Sequence, residues 1–132
     1  MKSIAITGTE TCAYTEVDDC LYKLLSGIMG AGVKLVCPMR DAVDVTKFAD
    51  MHGLAIEYLF SEDNDSLSMQ LSDCECVVVF WDGSDPLSAQ TANLSKRKGR
   101  QLRIHSIREK KERPPKRSVE ALLTKKKTRA DQ

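Results

Sequence analysis

No apolar run in this chain is much longer than Val77-Val78-Val79-Phe80-Trp81, whereas a membrane-spanning helix needs roughly 18 or more such residues. The residues after Lys2 form too short an apolar stretch for the core of a secretory leader. A cytosolic protein with no membrane partner is therefore expected. Histidine is scarce, with only His52 and His105, and the five cysteines (Cys12, Cys20, Cys37, Cys74, Cys76) contain no CxxC pair. That pattern argues against a His-rich metal centre, a zinc site or a disulfide framework, so buried reduced thiols are expected, with no metal and no cofactor. The 132 residues are enough for one ordinary domain and too few for a large multidomain enzyme.

Charge is abundant but divided. The formal net charge of +1 hides a net −10 over residues 1 to 95, where Lys2, Lys23, Lys34, Arg40 and Lys47 are the only cations, and a net +11 over residues 96 to 132. Such asymmetry marks a basic appendage on an acidic domain. From about residue 108 the composition is Lys, Arg, Glu and Pro, with little apolar area to offset backbone ordering. The expected division is a domain over 1–107 and a flexible basic tail over 108–132, in which Val119 to Leu123 alone offer an amphipathic turn. Nucleic acid is a possible partner of this tail, although it carries no aromatic residue to stack on bases.

Strands and helices alternate over the first 107 residues. Ser3 to Thr7, Val33 to Cys37, Leu54 to Phe60, Cys76 to Trp81 and Leu102 to Ile107 read as strands. The fourth is apolar without a polar face, so it is expected to be central and covered on both sides. Thr15 is the expected cap of a first helix whose stripe is Val17, Leu21, Leu24, Leu25 and Ile28. Asp41 or Asp44 is expected to cap a second, with Val45, Phe48, Ala49 and Met51 inward and Gly53 closing it. Leu67, Met69 and Leu71 suggest a short third helix, and residues 87–98 a fourth, ending at Gly99. This order predicts an α/β, three-layer Rossmann-like sandwich with a five-stranded, mostly parallel sheet.

Ligands of open parallel sheets gather beyond the carboxyl ends of the strands, where loops meet helix N-termini. Three loops there carry the candidate chemistry. Gly8-Thr9-Glu10 follows strand one and reads either as a tight capped turn or as part of a ligand site. Arg40 follows strand two, free to fork onto a phosphate or paired with Asp41 or Asp44. Trp81-Asp82-Gly83-Ser84 follows strand four, with Ser88 beyond it. Trp81 is either core packing or a platform for a base, and Asp82 is either a ribose-hydroxyl acceptor or an Asx turn. Cys37, with no histidine placed to serve it, reads as structural, and His105 as a surface residue.

These loops resemble those of a known family. The segments AITGTE, VCPMRDAVDVTKFADMHGLAIEYL and CECVVVFWDGSDPLSAQTANLSKRKGRQLRIH, spanning about residues 3 to 107, are similar to the small YspA/YpsA-like branch of the SLOG superfamily. The superfamily's Rossmann-like domains bind nucleotides, and it includes the LOG phosphoribohydrolases and DprA-type proteins. Phe80-Trp81-Asp82-Gly83 matches the branch's strand-four signature, and Asp44 falls on the acid of its Gly-Ala-Asp segment. The departures concern the phosphate cradle. Glu10 stands where the family has Arg, Pro38-Met39 where it has paired glycines, and Leu87-Ser88 where it has Gly-Thr. Proline has no amide hydrogen to donate.

The resemblance implies a nucleotide-like ligand held by Gly8, Thr9, Glu10, Arg40, Asp44, Trp81, Asp82, Gly83, Ser84 and Ser88, without catalytic residues, for sensing or sequestration. It also implies a homodimer or higher homo-oligomer, with helix residues in 43–52 and 88–98 as the expected surface. The rival readings are a phosphoribohydrolase or N-glycosidase using Glu10 or Asp82 as the acid, and an interaction module working through the tail.

Overall fold

The computed structural model describes residues 2–110. The chain runs β1 (Lys2–Thr7), α1 (Tyr14–Leu25), β2 (Val33–Pro38), α2 (Ala42–His52), β3 (Ala55–Leu59), α3 (Asn64–Ser72), β4 (Cys76–Trp81), α4 (Pro86–Arg97) and β5 (Gln101–Ser106). The five strands are parallel and lie in the order β3-β2-β1-β4-β5, an α/β Rossmann-like architecture as the alternation predicts.

Alternating strand side chains feed two cores. Ile4, Ile6, Leu35, Val78 and Phe80 pack under Val17, Leu21 and Leu25 of α1 and Val45 and Phe48 of α2. Ala5, Val36, Val77 and Val79 pack under Leu67 and Leu71 of α3 and Leu87 and Ala92 of α4. This double cover explains the unbroken apolar sequence of β4. As expected, β4 lies inside the sheet, between β1 and β5; β1 is the third of the five, because the chain winds outward from it in one direction and then in the other. The reversal falls between β1 and β4, the switch point where parallel sheets open a crevice.

Local starts and ends differ from expectation in several places. Thr15 does not cap α1. The N-cap is Ala13, whose carbonyl accepts from the Glu16 and Val17 amides at 3.0 and 3.1 Å, and Thr15 lies exposed inside the helix. Asp41 does hold the N-cap position of α2, yet its side chain makes no capping bond there. Leu24 and Met51 are exposed, and β3 ends one residue before Phe60, which is also exposed. Gly53 closes α2 in the left-handed conformation, as expected.

The chain continues past β5 with definite partners. Glu16, almost fully buried, accepts from the His105 ring nitrogen at 2.5 Å, the Arg108 amide at 2.9 Å and the Glu109 amide at 2.7 Å. The Glu109 carbonyl accepts from the Ala13 amide, and Lys110 pairs antiparallel with Cys12. His105 is thus held inward, with its ring 5.5 Å edge-on to Phe80, and is not a free surface residue. The remainder of the basic tail, including the Val119–Leu123 turn, lies outside the described residues.

Burial pushes the Glu16 carboxyl up, but the Arg108 amide, the His105 ring and the Glu109 amide outweigh it and hold it below its usual value. A depressed carboxyl stabilises the fold above its unfolded pKa and loses that contribution as pH falls through the folded value. The stability gap between wild type and Glu16→Gln, followed by urea denaturation, is expected to be full above pH 4.5 and to close below it.

Gly8 makes the tightest backbone approach. At φ 93° it sits where an added Cβ would lie 2.1 Å from the Phe80 carbonyl oxygen. Gly83, at φ 99°, has open space around that position. Gly83→Ala should therefore lose about 1–2 kcal/mol from backbone strain alone, whereas Gly8→Ala should lose more than about 4 kcal/mol because β4 must move. Equal midpoints in urea would refute the close approach.

Candidate functional site

The loop after β1 is organised around a carboxylate that belongs to the protein. Asp41, 1% exposed, reaches across from the turn after β2. Its Oδ2 accepts from Thr7 Oγ1 and the Gly8 amide, both at 3.2 Å. Its Oδ1 accepts from Thr9 Oγ1 at 3.2 Å and the Glu10 amide at 3.0 Å. Four donors in a glycine turn after the first strand form the kind of cradle that holds an anion in such folds, and here the Asp41 carboxyl fills it. Burial raises the Asp41 pKa above its ordinary value, outweighing Arg40 and the Glu10 and Gly8 amides, which lower it.

Arg40 is likewise committed. Its guanidinium forks onto Asp85, with Nη1 to Oδ1 at 2.9 Å and Nη2 to Oδ2. Nη2 also donates to Thr7 Oγ1 at 3.1 Å, and Nε lies 3.6 Å from Asp41 Oδ2. Asp85 in turn caps α4, accepting from the Ser88 amide at 3.2 Å and the Ser88 hydroxyl at 2.5 Å. Burial pushes the Asp85 carboxyl up, but Arg40 and Ser88 together hold it below the usual range. The α4 N-terminus, a second natural anion site, is therefore also filled from within.

Between these bridges and the β4 loop opens a cavity of about 310 Å³, lined by Gly8, Glu10, Thr11, Arg40, Asp82, Ser84, Asp85 and Pro86. Asp82 Oδ1 accepts from the Ser84 and Asp85 amides at 2.8 and 2.9 Å, an Asx-type turn, while Oδ2 accepts from Thr11 Oγ1 at 3.4 Å. The Ser84 amide leads in holding Asp82 below its ordinary pKa, so it stays ionised. Arg40 is the one cation in this lining, set against Glu10, Asp82 and Asp85.

Of the residues singled out from sequence, Gly8, Glu10, Arg40, Asp82 and Ser84 meet in this crevice. Thr9 and Ser88 are fully buried and engaged with Asp41 and Asp85. Gly83 shapes the turn without lining the cavity. Trp81 lies apart, packed on the α3/α4 core and lining a separate cavity of about 210 Å³ with Ile104 and Lys96. Asp44 is buried on α2 outside the crevice. Cys37 is buried and its thiol is pushed up to about 12 by desolvation, with Asp41 adding to the effect, which disfavours the thiolate. Among the described residues, no group of three or more His, Cys, Asp or Glu is arranged to hold a metal ion, and no helix is long and apolar enough to cross a membrane.

Sequence reading passed over Asp85 and gave Asp41 a different task. Asp85-Pro86 immediately before a helix, with Ser88 three residues on, is a legible N-cap. Nothing local in the sequence shows that Asp41 turns toward residues more than thirty positions earlier.

No known family model matches the chain, and no curated protein matches it. Among solved structures, that of TM1055, a structural-genomics target, superposes with a TM-score of 0.55 at 16% identity, over 77% of this chain and 72% of that one. AtPrR2 in its apo form gives a TM-score of 0.44 at 12% identity, with 79% of this chain spanning 37% of that one. The likeness to TM1055 is one of fold.

If Asp41 substitutes for a bound anion, Asp41→Ala should lose about 3–5 kcal/mol by leaving four donors unmet and Arg40 with Asp85 as its carboxylate partner. Added inorganic phosphate or sulfate should restore part of that loss, stabilising the variant by more than the general salt effect seen in wild type. Thermal denaturation with and without the anion measures both, and an equal response in the two proteins would refute the substitution.

Proposed function

We propose that the crevice binds the sugar of a nucleoside or other nucleotide-derived small molecule, for sensing or sequestration and without turnover. The observation that carries this reading is the internal filling of both anion sites by Asp41 and Asp85. A phosphate placed there would meet occupied donors and an excess of negative charge. What faces the cavity instead is a set of acceptors and hydroxyls, Glu10, Thr11, Asp82 and Ser84, suited to the hydroxyl groups of a ribose. Asp82 fits the part of an ionised acceptor, since its carboxyl is held low.

The resemblance to the SLOG superfamily, and through it to the LOG enzymes, supports a nucleotide-derived ligand. Against the enzyme reading stand the state of Asp82, which is held ionised and not protonated as a general acid needs to be, and the Pro38-Met39 pair in place of glycines. Self-association through helix surfaces, and nucleic-acid binding by the tail, belong to the same proposal as secondary features.

Calorimetric titration with the four common ribonucleosides and their 5′-monophosphates tests the reading. At least one nucleoside should bind, its monophosphate should bind no more tightly, and chromatography should detect no free base. Asp82→Asn should weaken binding roughly ten- to a hundredfold, the range for a hydrogen bond to a charged group. A strong preference for monophosphates that depends on Arg40, or release of base lost on Glu10→Gln or Asp82→Asn, would overturn the proposal in favour of phosphate recognition or of N-glycosidase chemistry.

A further inference from the structure

Arg40 lines the crevice, and it also lines a second cavity of about 500 Å³, bounded by Met39, Phe60, Glu62 and Asn64 with Leu67 of α3 and Leu87 of α4. The strand register explains why this cavity exists. Pro38 of β2 is paired with Leu59 of β3 and each is the last residue of its strand, so Met39 and Phe60 are the first residues beyond two neighbouring strands at the carboxyl edge of the sheet. Phe60 is 75% exposed and Met39 49% exposed, while Leu67 and Leu87 are buried. Scattered surface apolar residues need no explanation, but a phenyl ring and a thioether set together at a cavity with buried leucines in its lining are a different arrangement.

We infer that this cavity is a subsite for the flat heteroaromatic base of the ligand, which would lie against Phe60 and Met39 while its sugar reaches Glu10 and Asp82 past Arg40. The inference rests on the sugar-binding reading of the adjoining crevice and adds the chemistry of the second half of the ligand. Three features favour a ring over a peptide or an aliphatic chain. Phe60 supplies a π-face, and Met39 is a soft, adaptable side chain that makes favourable contacts with aromatic rings. Arg40 lines both cavities and is a planar guanidinium fixed by Asp85 and Thr7, a group of the kind on which rings stack. Glu62 and Asn64 at the rim offer an acceptor and an amide, which suit a base carrying an exocyclic amine. The two cavities together fall within the span of roughly 300–1,000 Å³ typical of small-molecule sites.

The test uses the full chain with adenosine, adenine and ribose as separate probes. Phe60→Ala, a change at an exposed position, should leave the melting temperature in place and weaken adenosine roughly five- to a hundredfold, the loss typical when a stacking aromatic is removed. It should leave ribose binding unaltered, and Phe60→Trp should retain adenosine. Met39→Ala should weaken adenosine in the same direction by less. If Asp82→Asn weakens adenosine while Phe60→Ala and Met39→Ala do not, the base subsite is wrong and the sugar site stands. If adenine binds in a Phe60-dependent way while ribose and adenosine do not bind, the subsite stands and the sugar reading falls. If no probe binds, both are overturned.

Discussion

The buried carboxylate of Asp41 is the constraint on which the carboxyl edge of the sheet depends. A carboxyl group at 1% exposure is tolerated only when nearly every lone pair is met, and here the turn after β1 is bent to supply the donors. Meeting that need places the Gly8 amide on Oδ2 and the Glu10 amide on Oδ1. Gly8 is thereby pressed against β4, where only the absence of a side chain lets it lie beside the Phe80 carbonyl. The same carboxylate draws in Arg40, which in turn fixes Asp85 and, through Ser88, the start of α4. One acid thus couples the turns after β1 and β2 to the loop after β4, and the crevice takes its shape from that chain of contacts.

Nucleotide-binding α/β folds place backbone amides and helix dipoles where phosphates will sit. This chain keeps that geometry and fills it with its own anions. The substitution accounts for a pattern that is otherwise contradictory: a glycine turn after the first strand, a capped helix after the fourth and an arginine between them, in a domain with a large excess of acid. The arginine offsets buried aspartates first, and little of its charge remains for a ligand. What the crevice offers outward is hydrogen-bond acceptance and hydroxyls, with an apolar annex on the far side of Arg40.

Much of the architecture was legible because strand burial is a local signal. Cys76 to Trp81 reads as a doubly covered strand in any context, and Gly53 and Gly99 mark helix ends by the conformations they permit. The position of β1 in the middle of the sheet was not legible, since winding order depends on crossovers between elements and not on the apolarity of any one strand. The crevice was legible as a place, because Gly8, Arg40 and Asp82 each follow a strand. Its electrostatics were not, because they arise from contacts between residues 31 to 45 positions apart. The same holds for Glu16, which stands in the sequence beside two further acids, Asp18 and Asp19, near the start of α1. It is singled out only by the return of the chain after β5, which brings His105 and the Arg108 and Glu109 amides onto it.

The sharing of Asp85 between Arg40 and the α4 N-terminus also limits which ligands the site can accept. A ligand that drew Arg40 away would leave the buried Asp41 without its nearby cation and Asp85 with Ser88 as its remaining partner, and breaking a buried charge pair from one side is strongly unfavourable. An anionic group must therefore recover that loss before it gains any affinity, whereas a sugar or an uncharged ring can bind on either flank with the pair intact. Under the proposed reading of the crevice, selectivity for uncharged portions of a ligand would follow from the stability of the fold itself. The Arg40–Asp85 bridge stands where the two cavities meet, with Arg40 lining both and Asp85 lining the crevice.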